Sequence, residues 1–308
     1  MADANAAFTS SRDRLAEWGG TAVDLGGAAG RACGYVARDP VLAIVAVVLG
    51  LLALIALFGP EVWGIDPLSI DLLVSLEGPS WAHPMGTDGN GRDVFARFLQ
   101  GARISLSVGA LVVITGLVVG GTMGLMAGIS GRVVDNILMR VIDALAAFPP
   151  LILAMAITVG LGVGLDTGAF GIMLTSVPYY ARLIRSDVVR IRALPAIEAA
   201  VAMGASRPRV VLRHIVPHTT STMLIQSAAV FGYAILTLAA LGFVGLGAQI
   251  PEPEWGAMIT DGLQYALTGQ WWIAVFPGLG VLLAVVATNM LADRARDLLD
   301  PHGQQASV

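Results

Sequence analysis

Few side chains in this sequence are equipped for chemistry, and their spacing decides what each can do. All eighteen basic residues are arginine, so the chain has neither a P-loop phosphate contact nor a Schiff-base lysine. His214 and His218 stand four residues apart, a spacing that could place two metal ligands on one helix face. Pro217 lies between them, however, and no third ligand is near, so they read as interfacial residues on an interrupted helix. His83 and His302 are isolated, and the single Cys33 cannot form an internal disulfide. Asp143 is the one acid inside a long apolar run, where an ionisable group is a functional candidate by default. It follows Arg140 by three residues, so an ion pair at helical spacing is expected in place of a proton relay. Gly160-Leu161-Gly162-Val163-Gly164 has the glycine content of a dinucleotide loop but no strand before it, and reads as a turn. No paired carboxylates and no nucleophile with a credible base emerge, so this chain is expected to hold no catalytic residue, cofactor or metal.

The richest signal is the segment from Tyr179 to Pro217, which carries seven arginines. At its centre runs Pro195-Ala196-Ile197-Glu198-Ala199-Ala200-Val201-Ala202-Met203-Gly204. Proline suits a first helical turn, Glu198 falls where the helix dipole favours an acid, and Gly204 is a natural stop. The result is a short helix whose Ile197, Val201 and Met203 need cover, expected to dock into a groove on a partner. The alternative is a helix lying flat on lipid headgroups, which Arg190, Arg192, Arg207, Arg209 and Arg213 would also suit.

The elements that position these residues belong to a membrane protein. Hydrophobic residues make up 56% of the 308 and charged residues 13%, with a mean hydropathy of +0.76, against about 25% charged in a soluble domain. A net charge of −4 leaves no basic surface for nucleic acid. Apolar runs predict an all-α polytopic fold with six transmembrane helices: 41–58, about 105–129, 141–161, 167–184, 223–246 and 271–291. Pro149, Pro150, Pro178 and Pro277 are tolerated inside such spans where neighbouring helices satisfy the freed carbonyls. Fifteen of the eighteen arginines fall on one side if both termini are cytoplasmic, which fixes that orientation. The organisation that follows is a cytoplasmic tail 1–40, an anchor helix 41–58, an external loop 59–104, a five-helix core 105–292 containing a cytoplasmic loop 185–217, and a cytoplasmic tail 293–308. In the external loop, Gly86, Thr87, Asp88, Gly91, Arg92 and Asp93 read as tight turns with Arg92 and Asp93 pairing locally, a folded cap in preference to a docking site. Gly116, Gly120, Gly124 and Gly128 form a drifting stripe that lets another helix approach within the same subunit.

Glu198-Ala199-Ala200, Gly204, and then Ile215-Val216-Pro217 resemble the EAA loop of binding-protein-dependent ABC importer permeases, with Val216 where that pattern often has leucine. Gly86-Thr87-Asp88 to Val94, Gly101 to Leu106, Leu241 to Gly247, Pro251, Pro253, Trp255 and Gly256, and Arg294 to Pro301 narrow the resemblance to the C-type permeases of dipeptide, oligopeptide and nickel importers. It covers about 38–301; Val177 replaces a usual tryptophan, and the N-terminal tail is rather long. The resemblance implies a type I importer permease core formed by spans two to six, in a bacterial cytoplasmic membrane. It implies four kinds of partner: a homologous B-type permease, two ABC ATPase subunits or one fused ATPase, an external substrate-binding protein, and the bilayer. ATP and Mg would be bound by the ATPases. Glu198, Ala199, Ala200, Met203, Gly204, Ile215 and Pro217 would couple the core to those ATPases, and Gly86 to Asp93 would cap the outer face or help dock the binding protein. Peptides are the leading cargo, with nickel chelates, glutathione-like peptides and haem as alternatives. A stand-alone secondary carrier is disfavoured by the scarcity of intramembrane charge.

Overall fold

The computed structural model describes residues 39–299; the tail expected over 1–40 and the last nine residues of the tail expected from 293 lie outside them, apart from Asp39 and Pro40. Contacts separate Met1–Ile44 from Val45–Val308. Only 39–44 of the first unit are described, the start of a helix, and the packing below concerns the second.

Eleven α-helices are described: α1 Pro40–Trp63, α2 Val94–Thr115, α3 Gly121–Ile129, α4 Arg132–Ala146, α5 Pro150–Leu161, α6 Leu165–Arg192, α7 Pro195–Ala202, α8 Arg207–Val210, α9 Val216–Phe243, α10 Trp255–Ala266 and α11 Trp272–Leu299, with a 3-10 turn at Leu72–Val74. Wider π-helical turns at Gly116–Gly120 and Val211–Ile215 join α2 to α3 and α8 to α9. Among the described residues there is no strand, only one antiparallel bridge between Thr87 and Asp93. The fold is therefore all-α.

Four helical runs are long and apolar enough to cross a membrane: Pro40–Trp63, Val94–Ile129, Thr222–Phe243 and Trp272–Asp297. The expected third span is broken. Its two halves, α4 and α5, meet at 83°, because Pro149 takes extended dihedrals (φ −55°, ψ 131°) and Pro150 starts a new helix. Counted as one span, the pair makes five. The expected fourth span lies within α6, a helix of 28 residues or about 42 Å. Its second half carries Arg182, Arg185, Asp187, Arg190 and Arg192, too polar to count as a span by composition. Pro178 does not interrupt α6; it is buried inside the helix.

The second helical run starts eleven residues earlier than its apolar core. Asp93 caps α2 by accepting from the Ala96 N–H at 2.6 Å, and this puts Arg97 and Arg103 on the helix rather than in a loop. Arg103 then reaches the carbonyls of Ala56 and Leu57 near the end of α1, at 2.8 and 2.7 Å, and Glu61 at 2.6 Å.

The bundle is organised around α6, which packs against α2, α3, α4, α5 and α9, while α9, α10 and α11 form a second packed group. One core joins α2, α9, α10 and α11 around Trp255, Phe98, Leu99 and Ile235. A second joins α2, α5, α6 and α9 around Val112, Ile172, Leu238 and Leu241. A third lies at the far end of α6, where Ile184, Val188 and Ile191 meet Ile197, Val210 and Ile215.

Candidate functional site

The helix at the centre of the arginine-rich segment is α7, eight residues long with Pro195 in its first turn. Two features fix it. Ile197 is buried against Val188, Ile191, Val210 and Ile215, so one side is anchored to the end of α6 and to α8 and the π turn that lead into α9. Gly204 has φ +87°; its N–H donates to Val201 O at 2.9 Å, and the Ala205 N–H to Ala200 O at 3.0 Å. This paired closure needs a left-handed residue after the last turn, which glycine supplies without a Cβ penalty. The opposite side is open: Glu198, Ala199 and Gly204 are exposed, Ala200 is half-buried, and Val201 and Met203 are 55% and 83% exposed. Ile215 is buried beneath α7, and Pro217 sits half-buried in the first turn of α9. The expectation that Ile197, Val201 and Met203 together need a partner's cover thus resolves unevenly: Ile197 is covered by its own chain, and Val201 and Met203 are left open.

Pro217 does not break the helix between His214 and His218. The chain stays helical, and the π turn Val211–Ile215 just upstream widens the backbone where a proline ring would crowd the carbonyl four residues before it. His218 Nδ1 lies 2.9 Å from His214 O, and no group of three or more His, Cys, Asp or Glu that could hold a metal occurs among the described residues.

Arginine bridges tie this end of the bundle together. Arg185 of α6 holds Asp135 of α4 with two hydrogen bonds of 2.5 and 2.7 Å, and Arg192 donates to Gly128 O near the end of α3 at 2.5 Å. Asp143 pairs with Arg182 at 2.8 Å, not with Arg140. The helical spacing was available, but α4 packs on α6 and brings a second guanidinium from a different helix.

The four stripe glycines all face α6. A Cβ on Gly116 would collide with the Tyr180 ring and one on Gly124 with Ala181 O; one on Gly120 would lie 2.5 Å from Val177 O, and one on Gly128 2.6 Å from Val188 Cγ1. A four-residue repeat on an α-helix drifts about 40° per step. The π turn Gly116–Gly120 turns the chain less per residue and brings Gly120 back into line.

The glycine-rich segment expected on the outer side is folded inward. Thr87, Asp88, Arg92 and Asp93 are all buried. Arg92 Nε donates to Asp88 Oδ2 at 2.6 Å, Arg97 approaches the same oxygen at 3.6 Å, and Asp93 Oδ2 lies 2.7 Å from His83 Nδ1. Arg92 and Asp93 therefore do not pair with each other; the bridge between Thr87 and Asp93 folds the turn back and leaves Asp88 opposite Arg92. Gly91 has φ +70°, and a Cβ there would collide with Asp71 O. The Thr87 carbonyl accepts from Trp272 Nε1 at 3.2 Å, which binds this cap to α11, and Gly86 O accepts from the Val94 N–H at 3.0 Å.

Sequence reasoning passed over Glu254, which is fully buried. It caps α10 through the N–H groups of Gly256 and Ala257 at 2.9 and 3.0 Å and accepts from Ser105 Oγ at 3.1 Å. Burial pushes its carboxyl above the usual range despite those three donors. Trp255 beside it stacks on Phe98 at 5.4 Å and donates from Nε1 to Phe98 O at 3.1 Å. A signal was present: an acid between Pro253 and Trp255-Gly256 is placed to cap a helix.

The architecture is that of a polytopic helical membrane bundle with one short helix presented at its end. The family described as binding-protein-dependent transport system inner membrane component matches residues 120–303. The chain is 42% identical over 248 residues to the dipeptide transport system permease protein of Alkalihalophilus pseudofirmus, covering 80% of this chain and 81% of that one. It is 39% identical over 263 residues to the probable D,D-dipeptide transport system permease protein of Escherichia coli, covering 85% and 88%. A solved structure of the inward-facing methionine ABC transporter MetNI aligns with a TM-score of 0.52 at 19% identity, over 66% of this chain and 96% of that one. The chain belongs to the family of binding-protein-dependent transport system inner membrane components, the permease subunits of ABC importers. It is a transporter subunit and not an enzyme, and membership places it in an inner-membrane assembly that works with ATPase, permease and binding-protein partners.

Proposed function

We propose that this chain forms half of the passage of a peptide importer and is driven through α7 by ATPases on the cytoplasmic side. A B-type permease supplies the other half, an external binding protein delivers the peptide, and ATP and Mg are bound by two ATPase subunits or one fused chain. Both termini lie in the cytoplasm, in keeping with the arginine distribution. The observation that carries the reading is the two-sided burial of α7: Ile197 is locked into the chain's own core while Val201 and Met203 project uncovered. A helix built this way can seat its open side in a partner's groove and pass its movement to the end of α6 and, through α8 and the π turn, to the start of α9. Peptide cargo is supported by the relatives named for dipeptides.

The test is a Val201→Asp, Met203→Asp variant of the tagged chain in its native membrane. Both side chains are exposed, so the subunit is expected to remain folded and inserted, while the ATPases no longer co-purify and ATP-driven dipeptide uptake is lost. Retention of the ATPases and of uptake would refute the lever. A variant that keeps the ATPases and uptake while α7 loses protection from a water-soluble quencher in permease-only vesicles would favour the headgroup-bound helix.

A further inference from the structure

Between Phe170 and Val189, both about half exposed, the uncovered face of α6 carries a run of polar side chains. Thr175, Tyr179, Arg182 and Ser186 follow one another at steps of four, three and four, which aligns them in a stripe about 16 Å long. With Phe148 and Leu153 at the α4–α5 bend they line a cavity of about 500 Å³. The stripe continues across two more helices. Tyr179 donates to Gln226 Oε1 on α9 at 2.7 Å, and Arg296 on α11 donates to the same oxygen at 2.7 Å.

The Arg182–Asp143 pair is half open to its surroundings, with side chains 53% and 60% exposed. Among the described residues their mutual bond is the one hydrogen bond either side chain makes. A guanidinium has five N–H donors and a carboxylate about four acceptor sites, so most of the capacity of both is unspent. Ionisable groups in a membrane protein face a bundle interior or a water-filled space and seek partners of opposite sign.

Building on the proposed role as half of a peptide passage, we infer that this stripe is the water-facing wall of the route and that the Arg182–Asp143 pair reads zwitterionic solutes. The pair opens as the solute passes. Arg182 takes the carboxylate and Asp143 the ammonium, so two neutral pairs replace one pair and a hydrated zwitterion, and no charge is left alone at any stage. A solute lacking either terminal charge leaves one member of the opened pair uncompensated. Selectivity for free termini therefore extends into the membrane subunit.

The experiment uses the complete importer in a Cys33→Ser background, in inside-out vesicles. A charged, water-borne thiol reagent is expected to modify Thr175→Cys and Ser186→Cys at least tenfold faster than Val118→Cys, an exposed apolar position. Uptake is then compared in right-side-out vesicles loaded with ATP, with the binding protein outside, for one dipeptide with free termini, N-acetylated, or C-amidated, each at a concentration that saturates the binding protein. Asp143→Asn is expected to erase the preference for the free amine and Arg182→Gln the preference for the free carboxylate, each by five- to tenfold. Labelling at 175 and 186 no faster than at 118, with the ATPases still bound, would overturn the aqueous wall and mark the stripe as a packed contact. Equal loss for all three peptides would overturn the solute reading and leave the pair a structural brace. Absence of any peptide uptake by the unaltered importer would instead sink the peptide assignment and the zwitterion with it, while the labelling arm still decides the wall.

Discussion

Replacing Gly204 with alanine separates backbone geometry from side-chain contact at the end of α7. A Cβ built there meets nothing within 4 Å, yet φ is +87°, so the penalty is conformational alone. Holding an L-residue in the left-handed region costs about 1–2 kcal/mol, a roughly 5–30-fold shift against the closed final turn. With eight residues, α7 is shorter than a helix that is stable by itself, so it has little reserve to absorb the loss. The assay is dipeptide uptake per ATP hydrolysed by the reconstituted importer, with thermal denaturation of the complex as a control. Uptake is expected to fall severalfold in Gly204→Ala and less in Gly204→Asn, because asparagine tolerates the left-handed region better. The melting temperature should scarcely move. Wild-type coupling in the alanine variant, or an asparagine variant worse than alanine, would refute the argument from backbone geometry.

Two further outcomes follow from close packing. Gly124→Val drives a side chain into the backbone of Ala181 and is expected to destabilise the chain by about 1–3 kcal/mol, read as a lowered melting temperature in detergent; Gly131→Ala, where space is open, should match the parent. Asp88→Asn removes the carboxylate that faces both Arg92 and Arg97 and should cost about 3–5 kcal/mol. Because Asp88 is buried, docking of the binding protein per folded molecule should stay unchanged, and a selective loss of docking would return the segment to the contact surface.

How far the sequence could be read depended on whether the deciding partner was near in the chain. Pro195 and Gly204 bound α7 because caps act within one turn, and the glycine stripe was visible because its spacing is a property of one helix. The partner of Asp143 was not visible: Arg182 lies 39 positions away, and only the packing of α4 on α6 chooses it over Arg140. The bend at Phe148-Pro149-Pro150 was hidden because all three residues are apolar, so hydropathy ran smoothly through a break in direction. The opposite held for α6, where charge in the second half suggested an ending that the backbone ignores, since Arg185 and Arg192 find Asp135 and Gly128 O. Glu254 escaped because an acid outside the spans is ordinarily assigned to solvent, whereas here three donors and the start of α10 enclose it.

The seam that the π turn Gly116–Gly120 and α3 form with α6 also constrains how the gene can drift. At Gly116 and Gly128 the obstructing atoms belong to the side chains of Tyr180, Ser176 and Val188, so a larger residue on one helix can be compensated by a smaller one on the other. At Gly120 and Gly124 the nearest atoms are the carbonyl oxygens of Val177 and Ala181. Backbone is common to every amino acid, and no exchange on α6 can make room. The two outer positions can change in pairs, whereas the two inner ones have no second-site remedy, which makes the centre of the seam a dead end for divergence even though nothing chemical happens there.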